Sequence, residues 1–275
     1  MQLAADASFL AETRFAVAVV RQAGAAARGP ADLTGLRTKS TFADLRTETD
    51  LKVERLVMAA IRATFPRHAV VGEETAATRR PALDRPTWFV DPIDGTTNYV
   101  HGIPHVACNV ALWADGGLRC AATIDVARRS VYWATAGRGA RQGGRRLRVS
   151  AVADLSGAVA ATGFPYSRAE RPGDDNLPEF AALVPRLQDV RRLGCAGLDL
   201  AWVAAGRLDG YWEQGNGPWD WAAGALLVRE AGGVVTTYDG ADWRPGDDTM
   251  VASNGRIHDQ LLDVIQTART AAHLL

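Results

Sequence analysis

The chain has 275 residues, 47% of them apolar, enough to bury a large core in one big domain or two tightly joined halves. Lys+Arg and Asp+Glu are both 31, so no global field draws the protein toward nucleic acid or a membrane surface. The three cysteines, Cys108, Cys120 and Cys195, are odd in number and widely spaced, which argues against a disulfide framework and fits a reducing cytosol. No apolar run is long enough to span a bilayer. Asp6, Glu12 and Arg14 interrupt the N-terminal apolar pattern, so no signal peptide is expected and the expected location is cytoplasmic.

Residues from about Ser8 to Arg28 read as an amphipathic helix, with Phe15 and Val19 one turn apart and Gly29-Pro30 closing it. Lys39 to Arg46 is polar and is expected to turn back on itself. Thr47-Glu48-Thr49-Asp50 caps a second helix, in which Val53, Val57 and Ile61 recur at i+4 until Pro66. Val70-Val71 is a short strand leading into Gly72-Glu73-Glu74, and a strand at Trp88 follows. His105 to Trp113 and Gly117 to Ile124 read as strands joined at Gly116-Gly117. Ser130 to Ala136 and Arg145 to Ser150 read as two more, joined around Gly143-Gly144. Helices followed by hairpins make an α+β pattern.

After Ser150 the pattern alternates. A strand near Val159 precedes the Pro/Gly-rich stretch from Phe164 to Asn176. A helix over Leu177–Leu187 and a strand up to Gly194 come next. Gly197 to Ala205 is helical, Leu208 to Trp212 a strand, and Trp219 to Ala231 a helix that Gly232-Gly233 ends. Val234 to Thr237 and Met250 to Ala252 are strands, and a last helix runs from Ile257. The change of pattern suggests an N-terminal half, 1–149, and a C-terminal α/β half, 150–275.

The run from Trp88 to Tyr99, Trp-Phe-Val-Asp-Pro-Ile-Asp-Gly-Thr-Thr-Asn-Tyr, carries the most chemistry. An apolar strand ends in Asp91, and Pro92, with fixed φ and no N–H, is expected to stop it. Asp94 follows three residues on, and Gly95-Thr96-Thr97 opens a helix. Carboxylates hold hard cations, and the N–H groups of a helix start attract an anion. Asp50, Glu73-Glu74, Asp91, Asp94 and Asp220 form four acidic segments that can converge. Asp50 and Asp220 each have a plainer reading as a helix cap, and Glu73-Glu74 as a solvated turn. By ligand type the metal is Mg²⁺, since no local cysteine or histidine supplies ligands. His68, His101 and His105 lie nearby without zinc-ligand spacing, and His101 and His105 read as loop or packing residues. Carboxylates sharing a site repel, so some should hold protons until a divalent ion removes that cost.

These residues resemble the inositol monophosphatases, within the Li⁺-sensitive, Mg²⁺-dependent sugar phosphatase superfamily. The likeness runs nearly end to end, through Lys39-Ser40, Thr49-Asp50, Gly72-Glu73-Glu74, Trp88–Tyr99, Gly102-Ile103-Pro104 and Gly137-x-Gly139-Ala140. It continues through Asp199–Arg207, Asp209–Glu213, Trp219-Asp220-x-Ala222-Ala223-Gly224 and Glu230–Gly233. The Asp91–Thr96 and Trp219-Asp220 segments match the family's two signatures. The resemblance implies a layered α-β-α-β-α sandwich, usually a homodimer, with two to three Mg²⁺ ions per site. It implies that Glu73, Asp91 and the Ile93 carbonyl hold one ion, that Asp91, Asp94 and Asp220 hold a second, and that a third, weaker one sits near Glu73. It places the Gly95 and Thr96 N–H groups on the phosphate. It has Asp50 bonded to Thr96, the pair orienting the attacking water with Glu73. Asp94, the Ala196 backbone and Glu213 would meet sugar hydroxyls, and Lys39, Thr49 and Glu74 are further candidates. The implied reaction is hydrolysis of inositol 1-phosphate to myo-inositol and phosphate, without a phosphoenzyme.

Thr97-Asn98-Tyr99 follows the inositol phosphatase pattern, with Tyr for the more frequent Phe, rather than the Lys-Glu of relatives acting on adenosine bisphosphates. Asn216-Gly217-Pro218 is this chain's own, and the Thr162–Asn176 segment, expected to border the substrate, has no residue-by-residue match. Another cyclitol, sugar or histidinol phosphate, or fructose 1,6-bisphosphate, therefore stays open as substrate. Arg138, Arg141, Arg145, Arg146 and Arg148 form a basic stretch that suits either a transcription-associated binding role or a solvated hairpin face. A catalytically idle scaffold is a further alternative, opposed by the filled metal positions.

Overall fold

The computed structural model describes residues 9–31, 36–169 and 175–272. The predicted helix start at Ser8, the middle of the Thr162–Asn176 segment and the last residues of the final helix lie outside them.

The first helix, α1 (Leu10–Ala26), precedes a two-stranded hairpin, β1 (Arg37–Thr38) and β2 (Leu45–Arg46), where the polar stretch turns back as expected. Helix α2 (Glu48–Thr64) follows. Thr47 and Asp50 close its start reciprocally: Thr47 N–H donates to Asp50 Oδ2 (2.7 Å) and Asp50 N–H to Thr47 Oγ1 (3.4 Å).

A seven-stranded sheet comes next, in the order β3 (Ala69–Gly72), β4 (Thr87–Asp94), β5 (Ala107–Ala114), β6 (Gly117–Asp125), β7 (Ser130–Thr135), β8 (Gly139–Gln142), β9 (Arg145–Arg146). The short helix α3 (Thr96–Val100) lies between β4 and β5. The expected hairpin of Ser130–Ala136 on Arg145–Ser150 is wrong. Gly137 and Gly139, at φ 75° and 82°, turn the chain earlier, so β7 pairs with β8, and β9 is only two residues long.

A five-stranded sheet has the order β11-β10-β12-β14-β13, built from β10 (Val159–Thr162), β11 (Asp189–Arg191), β12 (Gly210–Gln214), β13 (Val234–Thr236) and β14 (Thr249–Ser253). Helices α4 (Leu177–Leu183), α5 (Ala196–Ala204), α6 (Pro218–Glu230) and α7 (His258–Ala272) alternate with them.

Side chains of a strand alternate between faces, and here both faces are covered. On β4, Trp88 and Val90 pack with Val19, Val20, Val53 and Val57 of α1 and α2. Phe89, between them, packs with the residues of α5 and α6. Helices α5 and α6 also meet the second sheet, through Ala161, Tyr211 and Ala252. Trp221 to Val228 of α6 are all buried, as a helix enclosed on every side requires. The far face of the second sheet, at Ala160, Trp212 and Val251, packs on Leu183 of α4 and on Leu261 and Ile265 of α7. The layers are therefore α-β-α-β-α.

Pro92 does not stop β4, which continues to Asp94 through a bulge. Asp91 pairs with Asn109 and Asp94 with Ala107, so three steps on β4 oppose two on β5. A bulge is where a strand tolerates proline. Its consequence is chemical. In a regular strand, residues three apart point to opposite faces. The extra residue returns Asp94 to the side of Asp91, facing α5 and α6.

Candidate active site

The ends of β4, β10 and β12 and the starts of α5 and α6 enclose a cleft of about 300 Å³. Its lining includes Lys39, Glu73, Asp94, Ala196, Glu213 and Asp220 from the sequence-predicted set. Carboxylate oxygens of Asp91, Asp94 and Asp220 lie within 4.8 Å of one another. Three acids from one strand and one helix, 129 positions apart in the chain at the extremes, thus meet at one point.

Their hydrogen bonding differs sharply. Asp94 Oδ1 accepts from Ala196 N–H (3.1 Å), and its Oδ2 accepts from Gly197 N–H (2.5 Å) and Asn109 Nδ2 (3.0 Å). The first two donors are the opening N–H groups of α5, which need an acceptor. Asp220 Oδ2 accepts from Gly217 N–H (2.7 Å), so it caps α6 while also facing the other acids. Asp91 is 1% exposed, and among the described residues no N–H or hydroxyl donates to either of its oxygens; the side chain closest in effect is another acid, Glu73. Its charged neighbours are Glu73, Asp94 and Asp220. Burial first, then the charge of Glu73, pushes the Asp91 and Asp220 carboxyls well above the usual carboxylate range. Burial raises Asp94 too, against the opposing effect of its donors.

An unpartnered buried carboxylate is costly. Two buried oxygens without donors, among other hard oxygen ligands, suit a divalent cation of the Mg²⁺ type. The residues present therefore fit a metal. Glu73 is placed at the rim rather than within 4.8 Å of all three acids. Its Oε1 takes the Lys39 ammonium at 2.8 Å, and Lys39 also meets Glu74 (3.1 Å) and Asp44 (3.4 Å). Burial alone would lower the lysine, but those acids outweigh it and keep it charged.

Asp50 also combines its two readings. Oδ2 closes the start of α2, and Oδ1 lies 3.1 Å from Thr96 Oγ1. That hydroxyl is also 3.0 Å from the Ile93 carbonyl, so its single proton has two acceptors. Gly95, at φ 86°, turns the chain from β4 into α3. A Cβ there would sit 3.0 Å from the Gly194 and His105 carbonyls, so glycine is required on both counts. Glu74 is turned inward, its N–H donating to Glu54 Oε2 (2.7 Å), and burial raises its carboxyl to about 8. Thr49 does not line the cleft and lies 3.4 Å from the Tyr99 hydroxyl.

At the other end, Glu213 is 7% exposed. Its Oε2 accepts from the Tyr211 hydroxyl and from Asn216 Nδ2 (2.9 Å), and Trp221 Nε1–H donates to Tyr211 Oη (3.1 Å). Burial raises Glu213 to about 7. Gly163 packs on this carboxylate so closely that any side chain there would overlap it.

Sequence reading did not single out Asn109 or Asp199. Asn109 had a signal, a polar residue inside an apolar strand. Asp199 lines the cleft 3.0 Å from buried His105 Nε2, so His105 packs, as expected, with a polar partner.

Comparison with known proteins identifies the family. The model of the inositol monophosphatase family matches residues 9–270. The chain is a member of that family. An inositol-1-monophosphatase of Caulobacter vibrioides is 38% identical over 259 residues, covering 91% of this chain and all of the relative. A Pseudomonas aeruginosa relative named Nus factor SuhB is 43% identical over 225 residues, 81% of this chain and 83% of its own. The solved inositol monophosphatase of Anabaena (Nostoc) sp. superposes with a TM-score of 0.82 at 35% identity, covering 94% and 96% of the two chains. Among the described residues, no helix of this family member is long and apolar enough to cross a membrane.

Proposed function

We propose that this protein hydrolyses a phosphate monoester of a polyol in a Mg²⁺-dependent reaction, with inositol 1-phosphate as the leading substrate. The observation that carries the reading is Asp91, buried among Glu73, Asp94 and Asp220 with no donor to either oxygen among the described residues. Glu73, Asp91 and the Ile93 carbonyl would hold one Mg²⁺, and Asp91, Asp94 and Asp220 a second, with a weaker third near Glu73. Such ions, when bound, neutralise the entering and leaving oxygens and lower the pKa of bound water.

The chain's own groups do the rest. The Gly95 and Thr96 N–H groups, at the turn into α3, face the phosphate. The Asp50 carboxylate accepts a hydrogen bond from the Thr96 hydroxyl, and that pair with Glu73 orients the attacking water. The Ala196 N–H is given to Asp94, so it fixes that carboxylate toward the substrate instead of standing free. Glu213 accepts from a hydroxyl of the alcohol. Position and charge, not covalent chemistry, carry the step. A homodimer and Li⁺ inhibition are the accompanying family expectations.

The test is phosphate release from both enantiomers of inositol 1-phosphate, fructose 1,6-bisphosphate, histidinol phosphate and adenosine 3′,5′-bisphosphate, with Mg²⁺ and with chelator. Release led by inositol 1-phosphate and lost on chelation supports the reading. Release led by another ester changes the substrate and keeps the mechanism.

A second reading, a transcription-associated binding role, is favoured by the Nus factor relative and by the exposed Arg145, Arg146 and Arg148 beside β8. Salt-steep RNA binding that is lost in Arg145→Glu/Arg146→Glu would support it, and salt-independent or absent binding would remove it.

A further inference from the structure

The Asn216-Gly217-Pro218 turn joins β12 to α6, and the family resemblance gives it no role. Asn216 is half-buried and lines the cleft beside Gly163, Phe164 and Trp219. Its amide lies 2.9 Å from Glu213 Oε2. That oxygen accepts from the Tyr211 hydroxyl as well, and the amide presents its nitrogen to it. One N–H is thus used, and among the described residues the second N–H and Oδ1 meet no hydrogen-bond partner. Glu213 Oε2 has two donors, Tyr211 Oη and Asn216 Nδ2, whereas Oε1 takes no hydrogen bond among the described residues. An acceptor oxygen and an amide carrying both a donor and an acceptor therefore stand side by side at the cleft wall.

We propose that Asn216 is a specificity-determining residue, whose side-chain amide acts with Glu213 Oε1 to read two adjacent hydroxyls of the leaving alcohol. One hydroxyl donates to Glu213 Oε1. Its neighbour accepts from the Asn216 N–H and donates to Asn216 Oδ1 or to water. This selects a polyol ring over a simple alkyl or aryl group, because a diol satisfies every group that a bare substituent leaves unpaired. The inference rests on the phosphomonoesterase reading above.

Steady-state kinetics of the wild type and Asn216→Leu in saturating Mg²⁺, on inositol 1-phosphate and on p-nitrophenyl phosphate, test it. Leu has similar bulk and no polar atom. The expected result is a loss of about tenfold in kcat/KM on the inositol ester, mostly in KM, the scale of one neutral hydrogen bond. On the aryl ester the change stays within about twofold. Monodeoxy inositol phosphates extend the test as a double-mutant cycle: the analogue lacking the contacted hydroxyl should lose no more from Asn216→Leu. Equal losses on both esters, or losses that couple to no hydroxyl, would make Asn216 a prop for Glu213 and overturn the proposal. No loss on either would overturn it too. Failure of the underlying reading shows in the wild type alone, as turnover of the aryl ester without any polyol ester, or no turnover at all.

Discussion

The two ends of the cleft treat carboxylates in opposite ways. At the Glu213 end, one oxygen takes two donors, and the Trp221–Tyr211 pair behind it is itself hydrogen-bonded. At the Asp91 end, two buried oxygens have none among the described residues. A satisfied carboxylate keeps its shape in the absence of ligand and waits for a hydroxyl. An unsatisfied one is held by the fold at a cost that a cation removes. The same residue type thus serves recognition at one end and metal binding at the other, and donors make the difference.

The largest expected effect sharpens the contrast between Asp91 and Asp94. Asp91→Asn should lower Mg²⁺-dependent phosphate release on the order of a thousandfold or more, since it removes the shared ligand. Its metal-free melting temperature should nevertheless rise, by about 2–4 °C per kcal/mol gained, because a neutral amide replaces an unpaired acid. Asp94→Asn should lose comparable activity and melt lower without metal. An amide has one acceptor oxygen, and Asp94 uses both of its own for Ala196, Gly197 and Asn109. The stability cost is about 1–3 kcal/mol. If both variants shift melting in the same direction, the distinction fails.

Next in size is the pH response of the metal-free protein, read by thermal or urea unfolding. Glu213 and Glu74 have folded values raised to about 7 and about 8 from 4.5. For an acid raised by folding, the stabilising contribution is full below the unfolded value and is lost as pH rises through the folded one. Stability should therefore fall between about pH 5 and pH 9, by up to about 1.4 kcal/mol per pH unit for each proton released. The raised Asp91, Asp94 and Asp220 act in the same direction. Saturating Mg²⁺ should remove their part and leave that of Glu213. A slope that Mg²⁺ does not change would contradict the assignment of the two ends.

The smallest effect belongs to Tyr211→Phe, which removes one donor from Glu213 and strands the Trp221 N–H. KM for the polyol ester should rise a few-fold, with about 1 kcal/mol of stability lost and the Mg²⁺ requirement unchanged. A changed Mg²⁺ requirement would tie Glu213 to the metal end instead.

Much of this was legible before the structure. The apolar runs of β4 to β6, covered on both faces, and the i+4 spacing of α2, covered on one, follow directly from burial. Strand β8 was missed because Gly-Ala-Arg-Gln carries no alternation, and only the left-handed glycines before it mark the turn. The bulge at Pro92 was also missed. Proline reads as a stop, and only pairing with Asn109 and Ala107 shows that β4 runs on. Asp50 and Asp220 looked like a choice between cap and site. A carboxylate has two oxygens, and Asp50 uses one for each task while Asp220 caps with one and faces the acids. The donors that set Asp94 apart from Asp91 come from Asn109, Ala196 and Gly197, and no local pattern announces contacts across such separations.

The most direct measurement is phosphate release from inositol 1-phosphate by the wild type and Asp91→Asn across a Mg²⁺ titration. The account predicts saturable Mg²⁺-dependent release in the wild type and none above background in the variant, although the variant stays folded. Release that survives chelation, or that persists in Asp91→Asn, would contradict the claim that the bare Asp91 carboxylate is the centre of a metal-dependent phosphatase.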